Sequence, residues 1–336
     1  MGKLSNRELH ELLSCVKNDP RVVVPPKPGY DSGVNKIGDR YLVVKTDPCT
    51  GVPEEWFGFL LVNYAASDVA IFGAKPEYCT LNLLGPAKTQ LETFKTIMRQ
   101  ACKAADELGI AIVTGHTGRY NSIRSLVGVC TVYGEITPAK LKTPRSAAVG
   151  DLVLCTKPIG LEAVVNFSLI RKGLAKKLFG GQKVEELTKQ VYMQSCVNEA
   201  LQLAESRGIN AMHDATEGGL VAALNEMAEA SDLGFEIDNA KVPLIPEIRL
   251  IQKAFHFSDK QVLSISSTGT ILAAVNPEVE KEVMELLEKC GLKASFLGKF
   301  TKDKTRFLIM NGHKKRFPKM VNDPYTKIFS QALAGT

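Results

Sequence analysis

Apolar residues return with helical spacing between Asn6 and Lys17, where Leu9, Leu12, Leu13 and Val16 share one face, predicting a short amphipathic helix. The stretch from Pro20 to Gly38 is broken by proline and glycine and reads as neither good helix nor good strand. Tyr41 to Thr46 is an apolar, β-branched run that predicts a strand ending at Asp47. Trp56 to Phe72 is apolar all round and rich in alanine, the pattern of a fully buried helix, closed by Gly73. A strand over Pro76 to Leu84 and an amphipathic helix over Gln90 to Leu108 follow. Ile110 to Thr114 then reads as a strand stopping at Gly115, and Arg124 to Ile136 as another strand.

A second cycle begins after Val149-Gly150-Asp151. It has a strand over Leu152 to Thr156, a long helical stretch over Val184 to Arg207, and a helix over Leu220 to Ala230. Strands at Gly269 to Val275 and Arg306 to Met310 flank a helix from Glu278 to Lys289. Strands alternating with helices exclude an all-helical fold, and 336 residues suffice for two domains.

Composition narrows the class. With 45% hydrophobic and 23% charged residues the chain can bury a sizeable core, so disorder does not dominate. The longest uncharged stretch near a hydrophobic peak, Trp56 to Ser67, is too short for a membrane span of about 18 residues, and no signal-peptide pattern precedes it. The net charge of +6 collects late, in Lys299, Lys302, Lys304, Arg306 and His313 to Arg316, without the interleaved aromatic residues of a nucleic-acid surface. The eight cysteines include no Cys-x-x-Cys pair, which removes support for zinc or thioredoxin-like chemistry and fits reduced thiols in the cytoplasm. No dinucleotide fingerprint, Walker-type phosphate loop or Gly-x-Ser-x-Gly elbow is present.

The candidate chemistry lies in a few acidic residues. Asp31 sits in Pro28-Gly-Tyr-Asp-Ser-Gly-Val34, Asp47 at the predicted strand end, and Asp68 inside the apolar helix. A carboxylate buried there costs several kcal/mol unless compensated. A magnesium ion is one solution, and a buried ion pair or a capping hydrogen bond is another. Asp214-Ala-Thr-Glu217 has capping-box spacing, with Asp214 capping the next helix, yet such a helix N-terminus also suits a phosphate. Gly115-His-Thr-Gly118 is a weak phosphate-loop signal.

In order and spacing, four segments resemble the PurM-like superfamily of aminoimidazole ribonucleotide synthetase. Tyr30-Asp-Ser-Gly-Val-Asn35 is similar to its Asp-Ala-Gly-Val-Asp segment, and Thr46-Asp47 to its Thr-Asp strand end. Ser67-Asp-Val-Ala-Ile-Phe-Gly-Ala-Lys-Pro76 resembles its Asn-Asp-Leu-Ala-x-Met-Gly-Ala-x-Pro signature. His213-Asp-Ala-Thr-Glu-Gly-Gly-Leu220 resembles its His/Arg-Asp-x-Ser/Thr-x-Gly-Gly-Leu motif.

The resemblance implies a two-domain α+β fold. Residues 1–149 would form an N-terminal mixed-sheet or half-barrel domain that binds ATP and Mg²⁺ and dimerises, and residues 150–336 a C-terminal α/β sandwich. It further implies a cytoplasmic homodimer with ATP, Mg²⁺ and a small substrate in the cleft between domains. Asp31, Asp47, Asp68 and Asp214 fall on metal positions, and Lys27, Gly115, Gly218 and Gly219 join them as nucleotide-binding candidates. His116, Thr117 and His213 are the catalytic candidates. The implied chemistry is ATP-dependent phosphorylation of an amide, carbamoyl or phosphate oxygen.

The sequence departs from the family pattern in several places. His116 stands where the strand-end loop usually has a carboxylate, and Ser67 replaces an asparagine. Gln331 to Thr336 offers no cysteine of the kind that accepts a carbamoyl group in hydrogenase maturation, and no Cys/Sec-Gly-Cys loop of the selenophosphate type occurs near the start. These departures leave a second reading open, a non-catalytic nucleotide-binding paralogue acting as a maturation partner or sensor.

Overall fold

The computed structural model describes Leu4 and residues 6–330; the last six residues, singled out above for their lack of a cysteine, lie outside the described residues. After helix α1 (Asn6–Leu13) come strands β1 (Val22–Val24), β2 (Gly33–Ile37) and β3 (Arg40–Thr50). Helix α2 (Phe57–Ile71), β4 (Tyr78–Pro86), α3 (Leu91–Leu108), β5 (Ala111–Tyr120) and β6 (Val127–Ile136) complete a six-stranded mixed sheet, in the order β1-β2-β3-β6-β4-β5. Its ladders are antiparallel except β4–β5, which is parallel.

The second half contains β7 (Leu152–Cys155), α4 (Leu161–Ile170), α5 (Lys172–Phe179), α6 (Gly181–Thr188), α7 (Val197–Glu205), β8 (Ile209–Asp214) and α8 (Gly219–Ala230). Strand β9 (Gly234–Asp238), α9 (Ile248–Phe255), α10 (Asp259–Leu263), β10 (Ile271–Val275) and α11 (Glu280–Lys289) follow. The last elements are β11 (Ser295–Thr301), β12 (Arg306–Met310), β13 (His313–Arg316) and α12 (Tyr325–Ser330). A seven-stranded sheet runs β13-β12-β9-β11-β7-β10-β8. Every residue of β10 is buried, as expected for an unbroken apolar strand in the middle of a core.

The element between the two sheets is α2. All of it but Tyr64 is buried, which accounts for its lack of a polar face. It packs on β3, β6 and α3 on one side and on α7 and β8 on the other. Strand β3 answers with period-two burial: Val43 and Cys49 are buried while Thr46, Pro48 and Thr50 are exposed. Val43, Lys45, Asp47 and Cys49 therefore share the face turned toward α2.

Five sequence expectations change. The first helix stops at Leu13 rather than Lys17. Proline-rich Pro20 to Gly38 contains β1 and β2, because β2 pairs with β3 along its whole length and tertiary pairing overrides local propensity. Strand β3 runs past Asp47 to Thr50, with Pro48 accommodated opposite Val129 on the exposed face. Strand β5 likewise runs through Gly115 to Tyr120, since β4 offers a parallel partner for every residue from Gly115 onward. Val184 to Arg207 is α6, a 3-10 turn over Lys189–Gln194 and α7, and not one helix, since Ser195 takes an extended conformation between them.

Candidate functional site

Four chain segments meet at the junction of the two halves. The loop before β2 supplies Asp31, and the Ser32 hydroxyl beside it donates to the backbone carbonyl of Asp68 at 3.0 Å. Strand β3 supplies Lys45 and Asp47, two residues apart and so on one face. Helix α2 supplies Asp68, 5% exposed. Strand β8 ends in His213 and Asp214, each 3% exposed.

The Asp68 carboxylate is compensated by an ion pair. Its Oδ2 contacts Nζ of Lys45, which also lies 3.4 Å from Oδ1 of Asp47. Burial works against the Lys45 ammonium, but Asp68, Asp47 and Asp31 outweigh it and hold the amine well above its ordinary range. Burial pushes the Asp68 carboxyl upward, Lys45 opposes that, and the nearby carboxylates of Asp214, Asp47 and Asp31 add to it.

His213 forms a second tie. Its Nδ1 lies 3.0 Å from Oδ2 of Asp31 and 3.7 Å from Oδ1 of Asp214, and its Nε2 is 2.8 Å from Oε2 of Glu226 on α8. Burial disfavours the imidazolium, yet Asp31, Asp214 and Glu226 together raise the ring well above its ordinary value. One ligand atom each from Asp31, His213 and Asp214 can be chosen so that all three lie within 4.8 Å of one another. The two carboxylates of this set are oxygen donors, which fit a hard divalent cation such as Mg²⁺. Asp31, Asp47, Asp68, Asp214 and Glu226 outnumber Lys45 and His213, so the cluster carries an excess of negative charge for such an ion to offset.

The capping box expected at Asp214 is not formed. The N-cap of α8 is Gly218, in a left-handed conformation with φ +87°, because Asp214 still belongs to β8 and a turn separates it from the helix. Asp214 thereby faces the cluster and accepts from Thr216 Oγ1 at 3.3 Å. Gly219 must be glycine: φ is +54° and a Cβ would lie 2.4 Å from the Ile265 carbonyl oxygen. The Gly218 amide, expected to face phosphate, donates to Oδ2 of Asp323 at 3.0 Å.

Of the sequence-predicted residues, the structure brings together Asp31, Asp47, Asp68, His213 and Asp214, with Gly218 and Gly219 one turn away. It places Gly115, His116 and Thr117 elsewhere, on edge strand β5. There His116 Nε2 and Tyr120 Oη are 2.6 Å apart. Across the ladders His116 aligns with Asn82, Val129 and Pro48, so it lies three strand spacings, about 14 Å, from β3 and on the uncovered face. Lys27 is exposed, its ammonium 5.5 Å over the ring of Tyr30. Sequence reading missed Lys45, Glu226 and Asp323. Lys45 had a local signal, the i, i+2 spacing to Asp47; Glu226 and Asp323 had none.

Residues 29–136 match the model of the AIR synthase related protein N-terminal domain, and residues 148–311 that of its C-terminal domain. The selenide, water dikinase of Porphyromonas gingivalis is 31% identical over 73% of this chain and 69% of its own length. The chain belongs to the AIR synthase related family. Within that family it also matches the carbamoyl dehydratase HypE of Bradyrhizobium diazoefficiens, 28% identical over 75% of this chain and 71% of the relative. The AIR synthase related fold is seen too in the crystal structure of the hydrogenase maturation protein HypE in complex with ATP. That structure superposes with a TM-score of 0.68 at 19% identity, covering 94% of this chain and 96% of HypE. Asp323 lies beyond both matched AIR synthase related segments.

Proposed function

We propose that this AIR synthase related chain binds ATP with a divalent cation at the aspartate cluster and phosphorylates an amide, carbamoyl or phosphate oxygen of a small metabolite. The observation that carries this reading is the convergence of Asp31, Asp68, His213 and Asp214 from three separate segments at the junction of the two sheets. The ATP bound by the HypE relative and the dikinase activity in a second relative's name support it.

In this reading Asp31 and Asp214 hold the cation, which supplies neutralisation of the triphosphate and of the charge that develops during transfer. His213, fixed between Asp31 and Glu226, keeps the Asp31 loop docked on β8. Lys45 keeps Asp47 and Asp68 in place beside them. Residues 1–149 then form the nucleotide-binding and dimerising domain and residues 150–336 the second, in a cytoplasmic homodimer. The uncovered face of the first sheet, with Tyr78, Val113 and Tyr120 exposed, supports pairing there. Family position leaves His116 and Thr117 as catalytic candidates only through such pairing.

A second reading, nucleotide binding without turnover, draws on two observations: Lys45 already neutralises part of the cluster, and His116 lies apart from it. One experiment separates the readings. Thermal unfolding of wild type and Asp214→Asn, with and without ATP plus Mg²⁺, should show a shift of several degrees in wild type alone, since ligand at 100 times its Kd adds about 2.7 kcal/mol. No shift at millimolar ATP removes both readings. A shift with no nucleotide turnover, across amide- and phosphate-bearing candidates, selects the second.

A further inference from the structure

Lys45 is an unusual resident for a cluster of carboxylates that would hold metal. Its side chain is 20% exposed and that of Asp68 is 8% exposed, so the pair sits largely out of solvent. An ammonium carries three donors and no acceptor, and each donor occupies a carboxylate lone pair that a metal ion would otherwise use. The two carboxylates engaged by Lys45, Asp68 and Asp47, are different from the two in the Asp31–His213–Asp214 group. The cluster is thus divided between two protein cations: Lys45 engages Asp68 and Asp47, while His213 lies 3.0 Å from Asp31 and 3.7 Å from Asp214. A divalent ion bridging Asp47 and Asp68 would have to share that space with a like charge held between the same oxygens, which Coulomb repulsion disfavours.

We propose that the Lys45 ammonium is a built-in counter-ion that takes one cation position of this site, so that the chain binds one divalent ion fewer than its carboxylates would accept. The proposal rests on the metal-nucleotide reading only in taking the same carboxylates as ligands. It makes Lys45 a residue that sets metal stoichiometry on the Asp47–Asp68 side of the cluster.

The test counts Mn²⁺ bound per chain, by electron paramagnetic resonance of free Mn²⁺ during titration, with and without a non-hydrolysable ATP analogue. The variants are Lys45→Ser, Lys45→Arg and the double variant Lys45→Ser/Asp68→Asn. Lys45→Ser should bind one Mn²⁺ more than wild type, while Lys45→Arg and the double variant keep the wild-type number. Equal numbers in wild type and Lys45→Ser overturn the proposal. Should Lys45→Ser be unfolded without metal, regain of its circular dichroism and melting transition in millimolar Mn²⁺ supports the proposal, because the ion has replaced the missing charge. Failure to regain them overturns it. Analogue binding is read separately. If no variant binds the analogue while the Mn²⁺ counts differ by one, the nucleotide reading fails and the role of Lys45 stands.

Discussion

Asp323 accepts hydrogen bonds from the amides of Gly218 and Tyr325, at 3.0 and 2.8 Å, and burial pushes its carboxyl up from its ordinary value of 3.8 to about 7. The amides favour the charged form, but they do not overcome burial, to which the carboxylate of Glu162 adds. A carboxyl whose folded value is raised contributes stability that is complete below its unfolded value and is lost as pH rises through the folded one. Between 3.8 and about 7, wild type should therefore lose melting temperature through this group. Asp323→Asn, which keeps an acceptor for Gly218 but cannot ionise, should lose less over the same interval in a pH series of thermal melts. An equal loss in both proteins would dismiss Asp323 as the source. At the same scale, the identities of Asp31, Asp47, Asp68 and Asp214 were legible as isolated acids in apolar or glycine-rich settings. Their partners were not: Asp68 lies 23 positions from Lys45 in sequence, and only the packing of α2 on β3 makes them neighbours.

Among the elements, α2 shows how far periodicity reaches. A helix apolar on every side had to be central, and it is. What the pattern could not show is how closely it approaches α3. At Gly58 a Cβ would lie 2.1 Å from the carbonyl oxygen of Ile97 and 2.7 Å from the amide nitrogen of Ala101, both backbone atoms that cannot step aside. Gly58→Ala should force the two helices apart and cost about 1–3 kcal/mol, a typical penalty for overpacking. Urea denaturation would measure it as a lower midpoint with little change in slope. An unchanged midpoint would mean that the α2–α3 contact yields easily. The expectations that failed at this scale, the early ends of β3 and β5 and the capping box at Asp214, share one cause. Each treated proline, glycine or a cap motif as a local stop, whereas a neighbouring strand kept the ladder going through Pro48, Gly115 and Asp214.

Across the whole molecule the two sheets are joined by polar ties as well as by apolar packing. Tyr64 on α2 donates to Gln194 at 3.0 Å, Gln194 to Asn166 at 2.9 Å, and Asn166 to the hydroxyl of Tyr325 at 2.8 Å. This chain of bonds links α2, the turn before α7, α4 and α12, with Asn166 and Gln194 fully buried. Removing a middle member leaves two buried partners unsatisfied, and removing an end leaves one. Asn166→Ala should thus cost about 2–3 kcal/mol and Tyr64→Phe about 1 kcal/mol. Equilibrium denaturation of both variants checks the order, and a larger loss for Tyr64→Phe would overturn it. The Ser67 hydroxyl, which accepts from the Cys196 amide at 3.1 Å, adds a tie from α2 to the start of α7.

The sequence by itself determined the class of fold, the central helix and the set of acidic residues, because these depend on composition, on periodicity within single elements and on short motifs. Tertiary structure decided which partners those acids meet. It brought Lys45 onto Asp68 and Asp47, placed His213 between Asp31 and Glu226, laid Asp323 on Gly218, and left His116 on an outer strand. The physical reason is range. Charge pairing acts through space over a few ångströms, and, apart from Lys45 and Asp47, residues that near in the folded chain are separated here by 13 to 182 positions, a separation no local pattern records.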